Sequence, residues 1–240
     1  MNIKNEFRRI LWKMGYDISR VGVETHVLAR KKKLLESYAI DVILDVGANS
    51  GQFAEQMRKV IGFSGRIISF EPLISAFELL KINAKTDPKW EIVNCALGDA
   101  EAKQYINIAG NSYSSSILNM LPTHLKSAPE SKYIGRELVE IKTLDSIING
   151  LCSMEDNVYL KIDTQGFESR VIKGAERSLL QISTIQLEMS LIPLYQDELL
   201  FSNLHSILSK KGYSMVSIEQ GIVDKNSGQL LQVDAVYHRF

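Results

Sequence analysis

Short apolar runs bounded by glycine, proline or acids alternate along most of this chain with stretches whose apolar positions recur at helical spacing. DVILDVG (41–47), RIISFE (66–71), WEIVNCAL (90–97), VYLKID (158–163), TIQLEM (184–189), GYSMVSIE (212–219) and LQVDAVYHRF (231–240) read as strands. Phe53, Met57, Val60 and Ile61 place a helix over 51–61, and further helices are expected over 75–84, 168–181 and 197–211. This alternation specifies an α/β fold with a mostly parallel sheet and helices on both faces. A turn at Asn226 to Gly228 before the last run predicts an antiparallel pair at the sheet edge, seven strands in all with the last one reversed.

Two segments fall outside the alternation. Residues 100–141 carry a polar NSYSSS stretch and LPTHLKSAPE between strand-like ends, and a long excursion of this kind in an α/β domain usually carries function. We read it as a substrate-side flap, with Tyr113, Ser114, Ser115 and Ser116 as hydroxyls that would line an acceptor pocket. The other segment is residues 1–38. Phe7, Ile10, Leu11, Met14 and Ile18 repeat at helical spacing with Arg8, Arg9 and Lys13 between them, an amphipathic pattern that suits packing on its own domain or lying on a membrane surface. Lys31 to Lys33 are expected at the solvated surface. The expected organisation is therefore an N-terminal helical segment, 1–38, and a catalytic-type domain, 39–240.

Composition narrows the classes. The chain has 240 residues, 45% of them apolar, enough for one α/β domain with a full core. Lys plus Arg and Asp plus Glu each number 28, so the net charge of zero gives no field for nucleic acid. Cys95 and Cys152 are the two cysteines; Cys95, inside an apolar strand, is expected as a reduced, buried thiol, and a cytosolic compartment fits best. No run reaches the roughly 20 apolar residues of a membrane span, and MNIKNEF has no signal-peptide core. His26, His124, His205 and His238 are scattered without metal-motif spacing and are expected at the surface.

The candidate chemistry lies at strand ends. Gly47 supplies the φ freedom of a sharp strand-to-helix turn, and Gly51 lets the following helix begin against the strand. Glu71, at the tip of the next strand and 20 residues beyond Gly51, is placed to accept hydrogen bonds from two ribose hydroxyls. A dinucleotide loop would need a middle glycine, and Asn49 stands there instead. Asp45 argues in the same direction, because a carboxylate beside the loop opposes phosphate and favours a sulfonium or ammonium cation. S-adenosylmethionine carries both cations.

The blocks DVGANSG (45–51), SFEP (69–72), NCALGD (94–99), KTLDSI (142–147), KIDTQGFE (161–168) with VIKGA (171–175), and QLE (186–188) occur in this order, and together they resemble the FkbM-type S-adenosylmethionine-dependent methyltransferases. The resemblance covers about residues 40–190 and implies a class I methyltransferase fold, Rossmann-like, with methyl transfer to a hydroxyl of a sugar, glycan or natural product. It implies a cofactor site of Asp45, Gly47, Ala48, Asn49, Gly51 and Glu71, with Asn94, Ala96 and Leu97 bordering the adenine. Gln165 stands where the family usually carries Glu.

Asp163 and Glu188 also fall at expected strand ends, and Lys161 shares a strand face with Asp163. Asp163 is positioned to take the hydroxyl proton, to orient the cofactor's amino group, or to hold Mg²⁺ together with Glu188. Lys161 would neutralise an alkoxide or pair with an acid, and Glu168 suits the first turn of a helix. The competing readings are a nicotinamide-dependent oxidoreductase with a Rossmann-like fold, and a methyltransferase-like module that binds without catalysis. The expected partners are a small-molecule or glycan acceptor and no nucleic acid, with a peripheral membrane contact through residues 7–18.

Overall fold

The computed structural model describes residues 3–18 and 20–240, with side chains from residue 6 onward. It divides into two compact units, the first ending at Tyr38 and the second running Ala39–Phe240.

The first unit holds helices α1 (Ile3–Lys13) and α2 (Val27–Ser37). The apolar period over 7–18 does not continue as one helix. Gly15 takes φ +83° and the N–H of Tyr16 returns to the Leu11 carbonyl at 2.9 Å, so α1 closes and Met14 and Ile18 lie beyond it. His26 caps α2 by accepting from the Leu28 N–H at 3.2 Å. Lys31 is buried, unlike the solvated position expected for it.

The second unit contains β1 (Val42–Val46), α3 (Gln52–Gln56), β2 (Arg66–Phe70), α4 (Ile74–Ala84), β3 (Trp90–Val93), β4 (Ala96–Leu97), β5 (Ala102–Ala109), α5 (Pro122–Ser127), β6 (Tyr133–Lys142), α6 (Leu144–Ile147), β7 (Val158–Ile162), α7 (Glu168–Lys173), β8 (Ile182–Ser190), α8 (Phe201–Lys210), β9 (Ser214–Gln220) and β10 (Gln232–His238). Seven strands form one sheet in the order β3-β2-β1-β7-β8-β10-β9. All pairs from β3 to β8 are parallel, and β10 runs antiparallel to both of its neighbours. The reversed strand thus sits between β8 and β9, and β9 forms the margin. Every residue of β1 and β7 is buried, as expected of central parallel strands covered on both faces. The chain leaves β1 towards β2 on one side and reaches β7 on the other. The crevice beyond the carboxyl ends of β1 and β7 is therefore the ligand-binding position of an open α/β sheet.

Three local expectations change. WEIVNCAL is not one strand. The Asn94 amide donates to the carbonyls of Glu71 and Pro72 at 2.9 and 3.1 Å, and the Cys95 N–H turns back to the Val93 carbonyl. The chain is thereby pulled off the main sheet, and β4 joins a second, three-stranded sheet in the order β4-β6-β5. That sheet holds both ends of the 100–141 excursion. The helix expected over 51–61 is α3 followed by a π-helical turn, Met57–Ile61, stopped by Gly62 at φ +77°. The helix expected over 168–181 ends at Lys173, and a 3₁₀ turn, Ser178–Leu180, follows.

Gly174, just after α7, shows why the VIKGA block needs its glycine. A Cβ added there would lie 1.8 Å from the Gly98 carbonyl oxygen, so the second sheet's edge and α7 approach through bare backbone. Gly174→Ala should cost about 1–3 kcal/mol of stability through forced backbone displacement. A urea denaturation midpoint equal to that of the wild type would contradict this close approach.

Candidate functional site

The loop after β1 makes its turn through three left-handed residues, Gly47 at φ +77°, Asn49 at φ +49° and Gly51 at φ +94°. Asparagine is among the side chains that tolerate this region best. At Gly47 an added Cβ would fall 1.8 Å from the Asp163 carbonyl oxygen, so the β1 and β7 loops cross without room for a side chain. At Gly51 it would fall 2.6 Å from the Trp90 ring. The turn aims the Asn49 N–H at Glu71 Oε2, 2.7 Å away, while the Leu73 N–H donates to Oε1 at 2.9 Å. Glu71 is buried, and burial pushes its carboxyl up to about 7 against the pull of these two backbone donors. Ala48 is buried in the same turn, its N–H held by the Phe70 carbonyl. Asn94 is exposed beside Glu71. Ala96 and Leu97 are both buried, and Leu97 packs in the main core with Phe70 and Ile162. Its side chain therefore packs in the core.

Asp45 does not stand open beside the loop. It is fully buried, and it lies opposite Lys161 in the parallel register of β1 and β7. Lys161 Nζ is 3.0 Å from Asp45 Oδ1 and 3.5 Å from Asp163 Oδ2, and it donates to the Gly47 carbonyl at 3.3 Å. Burial opposes the ammonium charge, but Asp45 and Asp163 outweigh it and hold Lys161 above its ordinary value. Lys161 is thus a permanent cation beneath the loop, and it cancels much of the Asp45 field that was expected to act on a ligand directly.

Asp163 follows β7 directly, with 37% of its side chain exposed, and Glu188 sits two residues before the end of β8. Between them lies Gln165, at φ +55°, whose Nε2 donates to Asp163 Oδ1 at 2.9 Å and to Glu188 Oε2 at 2.6 Å. The Tyr195 hydroxyl donates to Gln165 Oε1 at 2.6 Å, and the Gln232 amide donates to Glu188 Oε2 at 3.2 Å. Burial, then the charges of Asp163, Asp234 and Glu168, raise the Glu188 carboxyl well above the usual carboxylate range. The expected Mg²⁺ does not fit this arrangement. Among the described residues no three His, Cys, Asp or Glu side chains group around a common point, and an amide donor already bridges the two acids. Glu168 shapes the local turn. Its Oε1 accepts from the Thr164 N–H, the Thr164 hydroxyl and the Gly166 N–H, which fixes the backbone that presents Gln165.

The excursion reaches this centre from above. Ser112, at φ +60°, meets the Asn49 amide at 3.3 Å, and the Ser116 hydroxyl donates to the Gln165 carbonyl at 2.7 Å. Tyr113 is exposed, Ser115 is half-buried, and Ser114 and Ser116 are buried. His124 is buried edge-on against Tyr195 with ring centroids 5.1 Å apart, and burial holds it below its ordinary value. His238 is also buried, on Thr184 at 2.8 Å. Neither is the surface histidine expected. Cys95 and Cys152 are buried free thiols, each pushed up to about 11 by burial. Tyr195 and the bridging role of Gln165 are not foreseen by the sequence patterns. The signal for the first was a hydroxyl-bearing aromatic in the proline-containing loop just past β8, where ligands of such sheets bind.

Residues 45–215 match the model of the methyltransferase FkbM domain. No curated protein sequence matches significantly. Among solved structures, a Thermobifida fusca protein described as a candidate methyltransferase superposes with a TM-score of 0.53 at 10% identity, over 89% of this chain and 79% of its own, and shares the fold. Aeropyrum pernix fibrillarin bound to S-adenosylmethionine is more loosely similar, with a TM-score of 0.46 at 10% identity over 82% of this chain. The present chain spans 66% of that fibrillarin, just under two thirds. A SAM-dependent methyltransferase of Aquifex aeolicus gives 0.45 at 13% identity, over 99% of this chain and 98% of its own. The family model covers well over half of the chain, which argues against the oxidoreductase reading: the chain belongs to the methyltransferase FkbM family.

Proposed function

We propose that the protein is an O-methyltransferase acting on a hydroxyl of a sugar, glycan or natural product. The observation that carries this reading is the partly exposed Asp163 carboxylate, which sits beside the glycine loop under a hydroxyl-rich flap. S-adenosylmethionine supplies the methyl group when bound. Gly47, Ala48, Asn49 and Gly51 give its backbone cradle, Glu71 keeps an unused lone pair on each oxygen for the ribose hydroxyls, and Asn94 lies at the adenine edge with Ala96. Asp45 contributes through Lys161 rather than by contact. Asp163 takes the proton of the acceptor hydroxyl, which attacks directly with no covalent enzyme intermediate. Lys161 lies 3.5 Å from one oxygen of Asp163, and Glu188 orients Asp163 from the far side through Gln165.

A labelled-methyl assay offering monosaccharides and polyols beside amines should show transfer to hydroxyls alone. Asp163→Asn should lower kcat by roughly a hundredfold or more while leaving S-adenosylhomocysteine affinity nearly unchanged. Methylation of amines without hydroxyl products would overturn the assignment.

Glu71 makes the cofactor site pH-sensitive. In the free protein its carboxyl titrates at about 7, and hydrogen bonds from ribose hydroxyls favour the ionised form. Binding must then release a proton near neutrality. Because the acceptor form is the carboxylate, affinity rises as pH rises through 7 and levels off above it. Calorimetry with S-adenosylhomocysteine should show about tenfold tighter binding at pH 8 than at pH 6, with proton release that vanishes in Glu71→Gln. A pH-independent affinity would remove Glu71 from the ribose.

We further propose that the protein lies in the cytoplasm at the inner membrane face, held through residues 7–18. Phe7, Ile10, Trp12 and Met14 are exposed, and Arg8, Arg9 and Lys13 lie among them, although Arg8 is paired with Asp17 at 2.9 Å. Among the described residues no helix is long and apolar enough to cross a membrane. An exposed apolar and basic surface suits an anionic lipid face. The chain should co-sediment with phosphatidylglycerol vesicles and not with phosphatidylcholine ones, and Trp12→Ser with Phe7→Ser should abolish it. Equal absence from both vesicles would refute the membrane contact.

A further inference from the structure

Asp163 and Glu188 are joined by one amide group. Asp163 Oδ1 and Glu188 Oε2 each receive one N–H from the same nitrogen, at 2.9 and 2.6 Å. An amide nitrogen has no lone pair to offer a metal, and its two protons point at two different acids. We propose that Gln165 is a positioning residue that takes the place of a divalent cation, clamping Asp163 and Glu188 by a neutral amide bridge fixed from behind by Tyr195.

The bridge is built into the backbone. Tyr195, almost fully buried, donates to Gln165 Oε1 at 2.6 Å, which sets which end of the amide faces the acids. The Gln165 carbonyl is held by the Ser116 hydroxyl, and Glu168 gathers the N–H groups on either side of it. Gly166 has no room for a side chain, since an added Cβ would lie 2.9 Å from the Tyr195 Cβ. The backbone of residue 165 is therefore held in its left-handed conformation, and its amide is engaged at both ends, by Tyr195 at Oε1 and by the two acids at Nε2. Mg²⁺ would require oxygen ligands at about 2.0–2.1 Å on several sides, and the space at the acids is filled by a donor. The consequence for chemistry is a fixed Asp163, one oxygen held by the amide and the other facing Lys161. This inference rests on reading Asp163 as the group that meets the acceptor, but its test does not use turnover.

Titration of the wild type with MnCl₂, followed by calorimetry and thermal melting, should show no saturable binding. Gln165→Glu places a third carboxylate between the other two and should bind Mn²⁺ roughly tenfold or more tighter than the wild type, with a matching rise in Tm. That gain should disappear when Asp163→Asn is added. Gln165→Met keeps the side-chain length and loses both N–H donors. Should Gln165→Glu fail to fold, the Met variant should melt below the wild type and recover part of the loss in MnCl₂. Saturable Mn²⁺ binding by the wild type that Asp163→Asn removes would overturn the proposal. So would a folded Gln165→Glu variant that binds Mn²⁺ no better than the wild type, or a Gln165→Met variant that melts with the wild type. S-adenosylhomocysteine titrations of the same proteins separate the two readings, because loss of the clamp leaves the methyl-donor site intact.

Discussion

The ammonium group of Lys161 is the contact on which the rest of the site depends. The register of β1 and β7 sets it opposite Asp45, in the fully buried middle of the sheet, and it reaches upward to the Gly47 carbonyl and Asp163. A buried carboxylate without a partner is far costlier than a paired one, and removing one partner of such a pair typically costs about 3–5 kcal/mol. Lys161 therefore allows an acid beneath the glycine loop and another beside it. In a single contact set it ties the glycine loop after β1 to the acid that follows β7.

The second constraint is steric, and it acts on the same two loops. Because Gly47 lies against the Asp163 carbonyl with no space for a Cβ, the loop that would cradle the methyl donor and the residue that would receive the acceptor's proton cannot drift apart. Methyl transfer demands an in-line approach of oxygen, carbon and sulfur, for which orientation is a large part of the barrier. A crossing of bare backbone, stapled by a buried ion pair, fixes these two loops against each other without relying on flexible side chains. The flap closes the arrangement by touching each half once, through Ser112 on Asn49 and through Ser116 on Gln165.

What could be read from the sequence followed from local signals. The β1 and β7 strands, the glycine turn, and Glu71 and Asp163 directly after their strands are written in apolar runs and glycine spacing, and each lies where those patterns put it, whereas Asp45 and Glu188 lie inside β1 and β8. The break after Val93 was not legible, because it depends on the Asn94 amide finding carbonyls of a different strand end. Likewise the burial of Asp45 arises from a cross-strand partner 116 residues away, and the burial of His124 from a tyrosine 71 residues further along the chain. Polar residues announce their chemistry in a sequence but not their partners.

The partners also explain why amides recur around these acids. Asp163, Asp234 and Glu168 all repel Glu188, and Lys161 is already shared by Asp45 and Asp163. A further cation would relieve the repulsion, but so does a donor that adds no charge. Gln165 bridges Asp163 and Glu188, Gln232 adds a second N–H to Glu188, and Gln186 donates to Asp234 while accepting from Tyr159. Three amides thus satisfy oxygens of the acidic cluster without adding charge to it. A glutamate at position 165 would add one more negative charge to that cluster. The neutral residue at this one position therefore follows from the charges already crowded around it.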